Sequence, residues 1–277
     1  TIATTLFNRS LNYGTQELGM FSNYFVLKRL SVIYYRWIAI FGFSLGVVLL
    51  LLLIGYYSIS TLHRSQLTTL EYQSTYSNQI HPGDLIPAKY WHDPRWADVT
   101  MQDSTLNDLT RGFEPIYIST LSDNIGLAPV PTKLSIPSIG LQSQIKELDI
   151  LTINDARAWE TPKHIAGHIP HTSRPGEKGI LYLFGHLHSP IKGEGSVFRN
   201  LTQIPELLKD GHTVYLTVEN KYGISFLYDI TDTTVVHEDD FAIRESSGSS
   251  ITLVACVPKY VYDHRLLVSG NLIGIKQ

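Results

Sequence analysis

The feature that most constrains the fold of this 277-residue chain is an uncharged apolar run near its start. Residues 37–57 include five consecutive leucines and contain no Asp, Glu, Lys or Arg. As a helix, such a run is about 30 Å long, which matches the apolar core of a bilayer. Leucine falls on every face of that helix. The pattern therefore favours a membrane-spanning segment over a half-buried helix of a soluble domain.

The residues that flank this run predict its orientation. Aromatic side chains at both ends suit the two membrane interfaces, and basic residues before the run outnumber those after it: Lys28, Arg29 and Arg36 against Arg64. We expect residues 1–36 in the cytoplasm, a single-pass anchor in the cell membrane at 37–57, and the rest of the chain outside the cell. A cleaved signal peptide is the alternative, but its apolar core is usually about 7–15 residues and lies closer to the N-terminus.

Composition limits what lies beyond the anchor. With 17% charged residues and a formal net charge of -3, the chain lacks the basic excess of a nucleic-acid-binding protein, so we expect no nucleic-acid partner. Residues 58–130 are polar and weakly periodic. They predict a stalk or linker extension with a short helix around Leu67–Gln73. Residues 131–277 are long enough for one folded domain.

That domain is rich in short apolar or alternating runs separated by Gly, Pro, Asn and Asp, which is typical of an all-β barrel or sandwich. Short helical turns are expected near residues 197–201 and 205–209. The predicted strands are Lys133–Ile136, Gln142–Glu147, Gly179–Gly185, His212–Val218, Ser225–Asp229, Thr233–His237, Ile251–Cys256, Arg265–Val268 and Leu272–Ile275.

The only cysteine, Cys256, ends one of these runs. A lone cysteine cannot form an intramolecular disulfide, so in an exported domain it is either a buried hydrophobic residue or a reactive thiol. Reaction near neutral pH requires a nearby base or cation. His186 follows the run at 179–185, and Arg265 opens the run after Cys256, where an antiparallel pair would bring the thiol and the guanidinium to one edge. A guanidinium there can stabilise an oxyanion.

Four segments in this order resemble the sortases, membrane-anchored cysteine transpeptidases of mainly Gram-positive bacteria. They are residues 134–140, the segment that ends in Gly185-His186, Thr252-Leu253-Val254-Ala255-Cys256, and residues 264–268. The resemblance covers about residues 130–277 and implies a closed β-barrel of about eight strands with short helices. It also implies that Cys256 is the nucleophile, His186 the general acid or base, and Arg265 the residue that holds the oxyanion or positions the substrate. The class of sortase stays open.

The activity that this resemblance implies is transpeptidation without a cofactor. A sorting signal of the Leu-Pro-x-Thr-Gly kind at the C-terminus of a surface protein would be cleaved, and its acyl group joined to an amine of a cell-wall precursor or a pilin. Ala255 departs from the family, which usually has threonine there, and we expect altered substrate contacts beside the thiol. The alternatives are a membrane-tethered β-barrel binding module or an inactive sortase-like scaffold. An L,D-transpeptidase is disfavoured because its Ser-x-Gly-Cys-x-Arg pattern is absent.

Three weaker patterns point to other sites. One pattern is a group of five histidines: His164, His168, His171, His186 and His188. The last two form a His-x-His pair whose side chains share one face of a strand. Because paired cysteines and a His-Glu-x-x-His helix are absent, we predict no metal.

Glu238, Asp239 and Asp240 resemble the loop where some sortases bind calcium, although a solvated turn is the preferred interpretation. Asp93-Pro94-Arg95-Trp96 resembles the Asp-Pro-aromatic lid of pilus-type sortases, with an inserted arginine.

Overall fold

A computed structural model describes residues 36–74, 109–116, 121, 126–153, 156–160, 162–189 and 195–277. The chain divides into two compact units, Thr1–Thr61 and Leu62–Gln277. Helix α1, Arg36–Leu70, contains the apolar run expected from the sequence, and it is long and apolar enough to cross a membrane. Its large apolar side chains from Trp37 to Leu62 are exposed. The helix ends in a 3-10 turn over Leu67–Leu70.

The second unit is built mainly from strands. Its short helix α2 spans Ile204–Lys209, and further 3-10 turns span Pro137–Ile139, Leu201–Gln203 and Glu238–Asp240. The strands are β1 (Tyr72–Gln73), β2 (Glu114–Pro115), β3 (Pro131–Ile136), β4 (Leu141–Glu147), β5 (Ile150–Ile153), β6 (Ala156–Trp159), β7 (Ala166–His168), β8 (Gly179–Phe184), β9 (Val214–Asn220), β10 (Ser225–His237), β11 (Ser249–Val257) and β12 (His264–Lys276).

Eight of these strands form a closed barrel, as the sequence resemblance implied. The order is β10-β9-β3-β4-β7-β8-β11-β12, and β12 pairs with β10 to close it. The pairs β4–β7 and β8–β11 are parallel, whereas the other pairs in the barrel are antiparallel. Strands β1 and β2 extend the sheet beside β10 and β12, and β5 and β6 form a separate hairpin.

Alternating side chains fill the barrel interior. In β9, Val214, Leu216 and Val218 are fully buried while the residues between them are partly exposed, which confirms the period-two pattern of this run. Phe198, before helix α2, and Tyr228, on β10, are fully buried as well. Strand β11, which carries the cysteine, likewise has one face toward this core, with Ile251, Leu253 and Ala255, and one face outward.

The sequence prediction divided two long strands. Four runs were expected where the structure has only β10 and β12, which pair along their length with register shifts between Leu227 and Tyr228 and between Ile230 and Asp232. At Gly270 the two backbones approach so closely that a Cβ would lie 2.5 Å from the Asp229 carbonyl oxygen. Glycine and polar residues that were interpreted as turns therefore lie inside continuous, irregular strands.

Part of the expected stalk belongs to the barrel domain. Leu67 is buried in the main core, the Thr233 hydroxyl donates to the Leu70 carbonyl at 2.7 Å, and Tyr72 pairs with Thr233. The helix expected around Leu67–Gln73 was wrong beyond Leu70, because Tyr72–Gln73 is strand β1. The motif at Asp93–Trp96 lies outside the described residues.

A buried carboxylate attaches the segment before β3 to the barrel. Glu177 is fully buried and accepts hydrogen bonds from the backbone N–H groups of Gly126, Ala128 and Arg174 at 2.7–2.9 Å. Glu177→Gln places an amide against these donors and removes the charge that strengthens the bonds. We expect it to lower the free energy of unfolding by about 2 kcal/mol, measured by urea denaturation. Glu219→Gln, at the exposed pair with Lys133, is the control and should change stability little.

Candidate active site

Cys256 lies near the end of β11, on the outer face of the barrel. Ile251, Leu253 and Ala255 point into the main core. Because side chains alternate along a strand, Cys256 shares the opposite face with Val254. The thiol is a free, partly exposed cysteine. It is therefore neither a member of the barrel core nor fully accessible to solvent.

Arg265 is the residue directly opposite Cys256. The register of the antiparallel pair β11–β12 places Cys256 against Arg265 and Ala255 against Leu266. Directly opposed residues of an antiparallel pair project from the same face of the sheet. The edge that the sequence predicted for the thiol and the guanidinium thus exists, and the positive charge of Arg265 opposes the rise in the pKa of the thiol that burial causes.

His186 approaches from the strand on the other side of β11. Strand β8 runs parallel to β11, with Phe184 paired to Val254, and the Gly185 N–H donates to the Val254 carbonyl at 3.2 Å. His186 lies two residues beyond Phe184, as Cys256 lies two residues beyond Val254. If the register continues past the end of β8, His186 is level with Cys256. Its Nε2 atom is buried. The three residues expected to react are therefore carried by three adjacent segments at one level of the barrel.

Gly185 is required by the packing behind His186. A Cβ at this position would lie 2.6–2.7 Å from side-chain atoms of Phe198 and Val197. The Phe198 N–H also donates to the His186 carbonyl at 2.9 Å. The absence of a side chain at Gly185 thus lets the segment that follows His186 pack closely against this backbone. This packing fixes the backbone that carries the imidazole.

The surroundings of Cys256 keep its thiol protonated. Burial raises the pKa of Cys256, the guanidinium of Arg265 opposes this effect, and the Glu238 carboxylate adds to it, so that the pKa lies above its usual value. At neutral pH the thiol form predominates. An attack by sulfur therefore needs a base that removes this proton when a substrate is present.

Arg265 is held by three acceptors. Its Nη1 donates to the Tyr262 and His264 carbonyls at 2.8 and 3.1 Å, and its Nη2 donates to the Glu238 carboxylate at 2.7 Å. The Arg265 side chain is only 21% exposed. In the sequence, Glu238 stands out only as a member of an acidic cluster, and no pattern there indicates its ion pair with Arg265.

Residues 134–273, slightly more than half of the chain, match the sortase domain family. This chain belongs to the sortase family. Among solved structures, a Clostridium perfringens sortase D5 transpeptidase is 23% identical over 53% of this chain and 79% of its own length, with a TM-score of 0.39. Streptococcus agalactiae sortase C1 in complex with MTSET is 24% identical over 51% and 66%, with a TM-score of 0.39.

A third structure, a lid mutant of Corynebacterium diphtheriae sortase A, is 25% identical over 52% of this chain and 70% of its own length, with a TM-score of 0.37. No curated protein matches the chain. The family assignment therefore depends on the domain match, and the roles of individual residues depend on the geometry of this sortase.

The loop between β11 and β12 is attached to the end of helix α1. Arg64 donates from Nε and Nη2 to the Asp263 carboxylate at 3.0 and 2.7 Å, and His264 Nδ1 lies 2.7 Å from the other oxygen. Partial burial raises the pKa of Asp263, but the hydrogen bonds from His264 and Arg64 outweigh it, and the pKa is lowered. Arg64 and Asp263 are 199 residues apart, so sequence spacing gave no sign of this contact.

Apolar side chains pack together on the same outer face as the thiol of this sortase. Tyr182 and Val254 are buried in a second hydrophobic cluster, with Phe184 and Phe241 packed against it. Phe241, from the loop between β10 and β11, meets Tyr182 and Phe184 edge-on at centroid distances of 6.4 and 5.7 Å. Of these side chains, Phe184 and Phe241 stay partly exposed.

One expectation about a residue beside the thiol changes with the structure. Ala255 points into the barrel core and is 1% exposed. Its replacement of the family's threonine therefore affects packing, and the expectation of altered substrate contacts was wrong. His168 is buried against Thr172, and within the described ranges no three His, Cys, Asp or Glu side chains are grouped to hold a metal ion.

Proposed function

We propose that this protein is a membrane-anchored transpeptidase in which Cys256 is the nucleophile, His186 the general acid and base, and Arg265 the oxyanion-holding residue. The observation that carries this proposal is the pairing of Cys256 with Arg265 across β11 and β12, with His186 arriving level with the thiol from β8. A nucleophile, a base and a fixed cation at one level are the parts that acyl transfer through a covalent intermediate requires.

In the first half of the reaction, His186 takes the proton of the Cys256 thiol as the sulfur attacks a peptide carbonyl. The C–S bond forms, and the carbonyl oxygen becomes negative beside the Arg265 guanidinium. As the tetrahedral species collapses, the C–N bond breaks and the imidazolium gives its proton to the leaving amine. The product of this half is a thioester on Cys256.

In the second half, the amine of an acceptor attacks the thioester carbonyl. His186 removes a proton from this amine, the C–S bond breaks, and the sulfur recovers a proton from the imidazolium. An amide replaces the peptide bond that was cleaved, so no energy-rich cofactor is required. The raised pKa of Cys256 fits this cycle, because the resting thiol is protonated and becomes nucleophilic when a base acts on it.

The substrates are a sorting signal of the Leu-Pro-x-Thr-Gly kind on a surface protein and an amine from a cell-wall precursor or a pilin. Phe184 and Phe241, partly exposed aromatic side chains on the face of the thiol, support a peptide with apolar residues on one side of its scissile bond. Helix α1 supports a single-pass anchor, with residues 1–36 in the cytoplasm and the barrel domain, including the parts of 58–130 that pack on it, outside the cell.

The proposal is tested with the full-length chain in detergent, a panel of sorting-signal peptides and an added amine. Mass analysis of the digested protein is expected to find the acyl part of one peptide on the segment that contains Cys256, released by hydroxylamine as a thioester is. The amine-linked peptide should accumulate in parallel. The proposed activity is contradicted if no peptide forms an adduct while Cys256 of the folded protein can still be alkylated.

A further inference from the structure

The contact that the proposed mechanism does not use is the ion pair between Arg265 and Glu238. Glu238 opens the 3-10 turn that directly follows β10. Its carboxylate receives Arg265 Nη2 at 2.7 Å, and its own N–H donates to the Asp263 carbonyl at 2.9 Å. Glu238 is thus attached, through both backbone and side chain, to the start of the strand that carries the guanidinium.

We propose that Glu238 is a positioning residue that acts on the reaction through Arg265, holding its guanidinium beside Cys256 and offsetting part of its positive charge. This inference rests on the proposed function. The two backbone acceptors at Tyr262 and His264 engage Nη1 alone, so Nη2 takes its direction from Glu238. A planar guanidinium fixed at both nitrogens has one orientation, whereas one fixed at Nη1 can rotate away from the oxyanion.

The charge of Glu238 has a separate effect. The charged groups that act on Cys256 are Arg265 on β12 and Glu238 after β10, and His186 follows the neighbouring strand β8. Arg265 lowers the pKa of the thiol and Glu238 raises it. The Glu238 side chain is 45% exposed, so solvent partly screens the effect of its charge on the pKa of Cys256. The ion pair with Arg265 also reduces this effect, which is therefore moderate.

Three variants of the full-length chain separate orientation from charge. Glu238→Gln keeps an oxygen acceptor with the same reach but removes the charge. Glu238→Ala removes both. Asp240→Asn makes the same charge change on the same turn, at a residue that forms no ion pair with Arg265 among the described side chains. It is therefore the matched control for long-range electrostatics.

The first measurement is the rate at which iodoacetamide alkylates Cys256 as a function of pH. It needs no sorting-signal peptide, so it is independent of the proposed transpeptidation. Glu238→Gln is expected to move the profile to lower pH and to raise the rate about threefold on its rising part, because the guanidinium keeps its acceptor and is no longer offset. Glu238→Ala should move the profile less, because its guanidinium can also turn away from the thiol. Asp240→Asn should superimpose on the wild type.

The second measurement separates kcat from KM with an active sorting-signal peptide. Glu238→Ala is expected to lower kcat about tenfold with KM within about twofold, because a misdirected guanidinium weakens the transition state more than the bound substrate. Glu238→Gln should restore kcat to within about threefold of the wild type. If Glu238 had only a structural role, its variants would have lower melting temperatures, but Glu238→Ala and Glu238→Gln would not differ in kcat at similar KM.

The proposal is overturned if the alkylation profile of Glu238→Gln coincides with that of Asp240→Asn, or if Glu238→Ala has the kcat of the wild type. Failure of the proposed transpeptidation is distinguishable from both results. It appears as a wild type without turnover, while the alkylation profiles still report whether Glu238 acts on the thiol through Arg265.

Discussion

Replacing Cys256 by alanine is expected to abolish thioester formation and to lower turnover at least about a thousandfold, to the limit of detection. The chain has one cysteine, so no second thiol can replace it. The fold should persist, because the barrel interior at this level is formed by Ala255 and Val257, while the Cys256 side chain lies on the outer face. Mass analysis after incubation with an active sorting-signal peptide measures the adduct directly.

The matched control for this variant is His188→Ala. His188 lies two residues beyond His186, and its ring nitrogen is occupied by the Leu187 carbonyl. We expect it to retain most of the turnover, whereas His186→Ala should lose nearly all of it. Turnover retained by Cys256→Ala would rule out the covalent mechanism, and equal losses at the two histidines would remove the assignment of His186 as the base.

Features encoded by local periodicity were predictable from the sequence. Helix α1 is recognisable because an uncharged apolar run of this length favours a helix long enough to cross a membrane. The alternation in β9 and the apolar run before Cys256 are recognisable because one side of each strand faces the core. These signals, with four family segments in order, were sufficient for the closed barrel of eight strands, which the structure confirms.

Features that depend on contacts distant in sequence were not predictable. Strands β10 and β12 look divided in the sequence because their irregularities resemble turns, and only their pairing with each other keeps them continuous. The ion pairs Arg265–Glu238 and Arg64–Asp263 join residues that no motif connects. Ala255 was assigned to the wrong side of its strand, although strict alternation from Cys256 would have placed it inward.

The site combines both kinds of information. Sequence identified Cys256, His186 and Arg265 as residues with suitable chemistry. The register pairs Cys256 with Arg265, and β8, the strand before His186, lies beside β11. Their catalytic roles stay predictions. What the sequence could not supply is the acceptor set that fixes the guanidinium, because it is made of two backbone carbonyls and one carboxylate from another turn.

The second large effect is expected at Arg265. Arg265→Ala should lower kcat about 100-fold or more, since removal of one oxyanion-stabilising group typically costs this much. It should also move the pH profile of Cys256 alkylation to higher pH, because the positive charge that lowers the pKa of the thiol is lost while the Glu238 carboxylate stays. Steady-state kinetics and iodoacetamide labelling measure the two effects separately.

Arg265→Lys distinguishes charge from geometry at this position. An ammonium group keeps the charge, so the alkylation profile should stay near that of the wild type, but it lacks the planar fork that engages Glu238 and the two carbonyls at once. We therefore expect kcat to recover only slightly. The control is Arg244→Ala, an exposed arginine in the loop before β11, which should leave both readouts unchanged. If lysine restores kcat fully, Arg265 acts as a point charge, and the fixed orientation of its guanidinium has no part in catalysis.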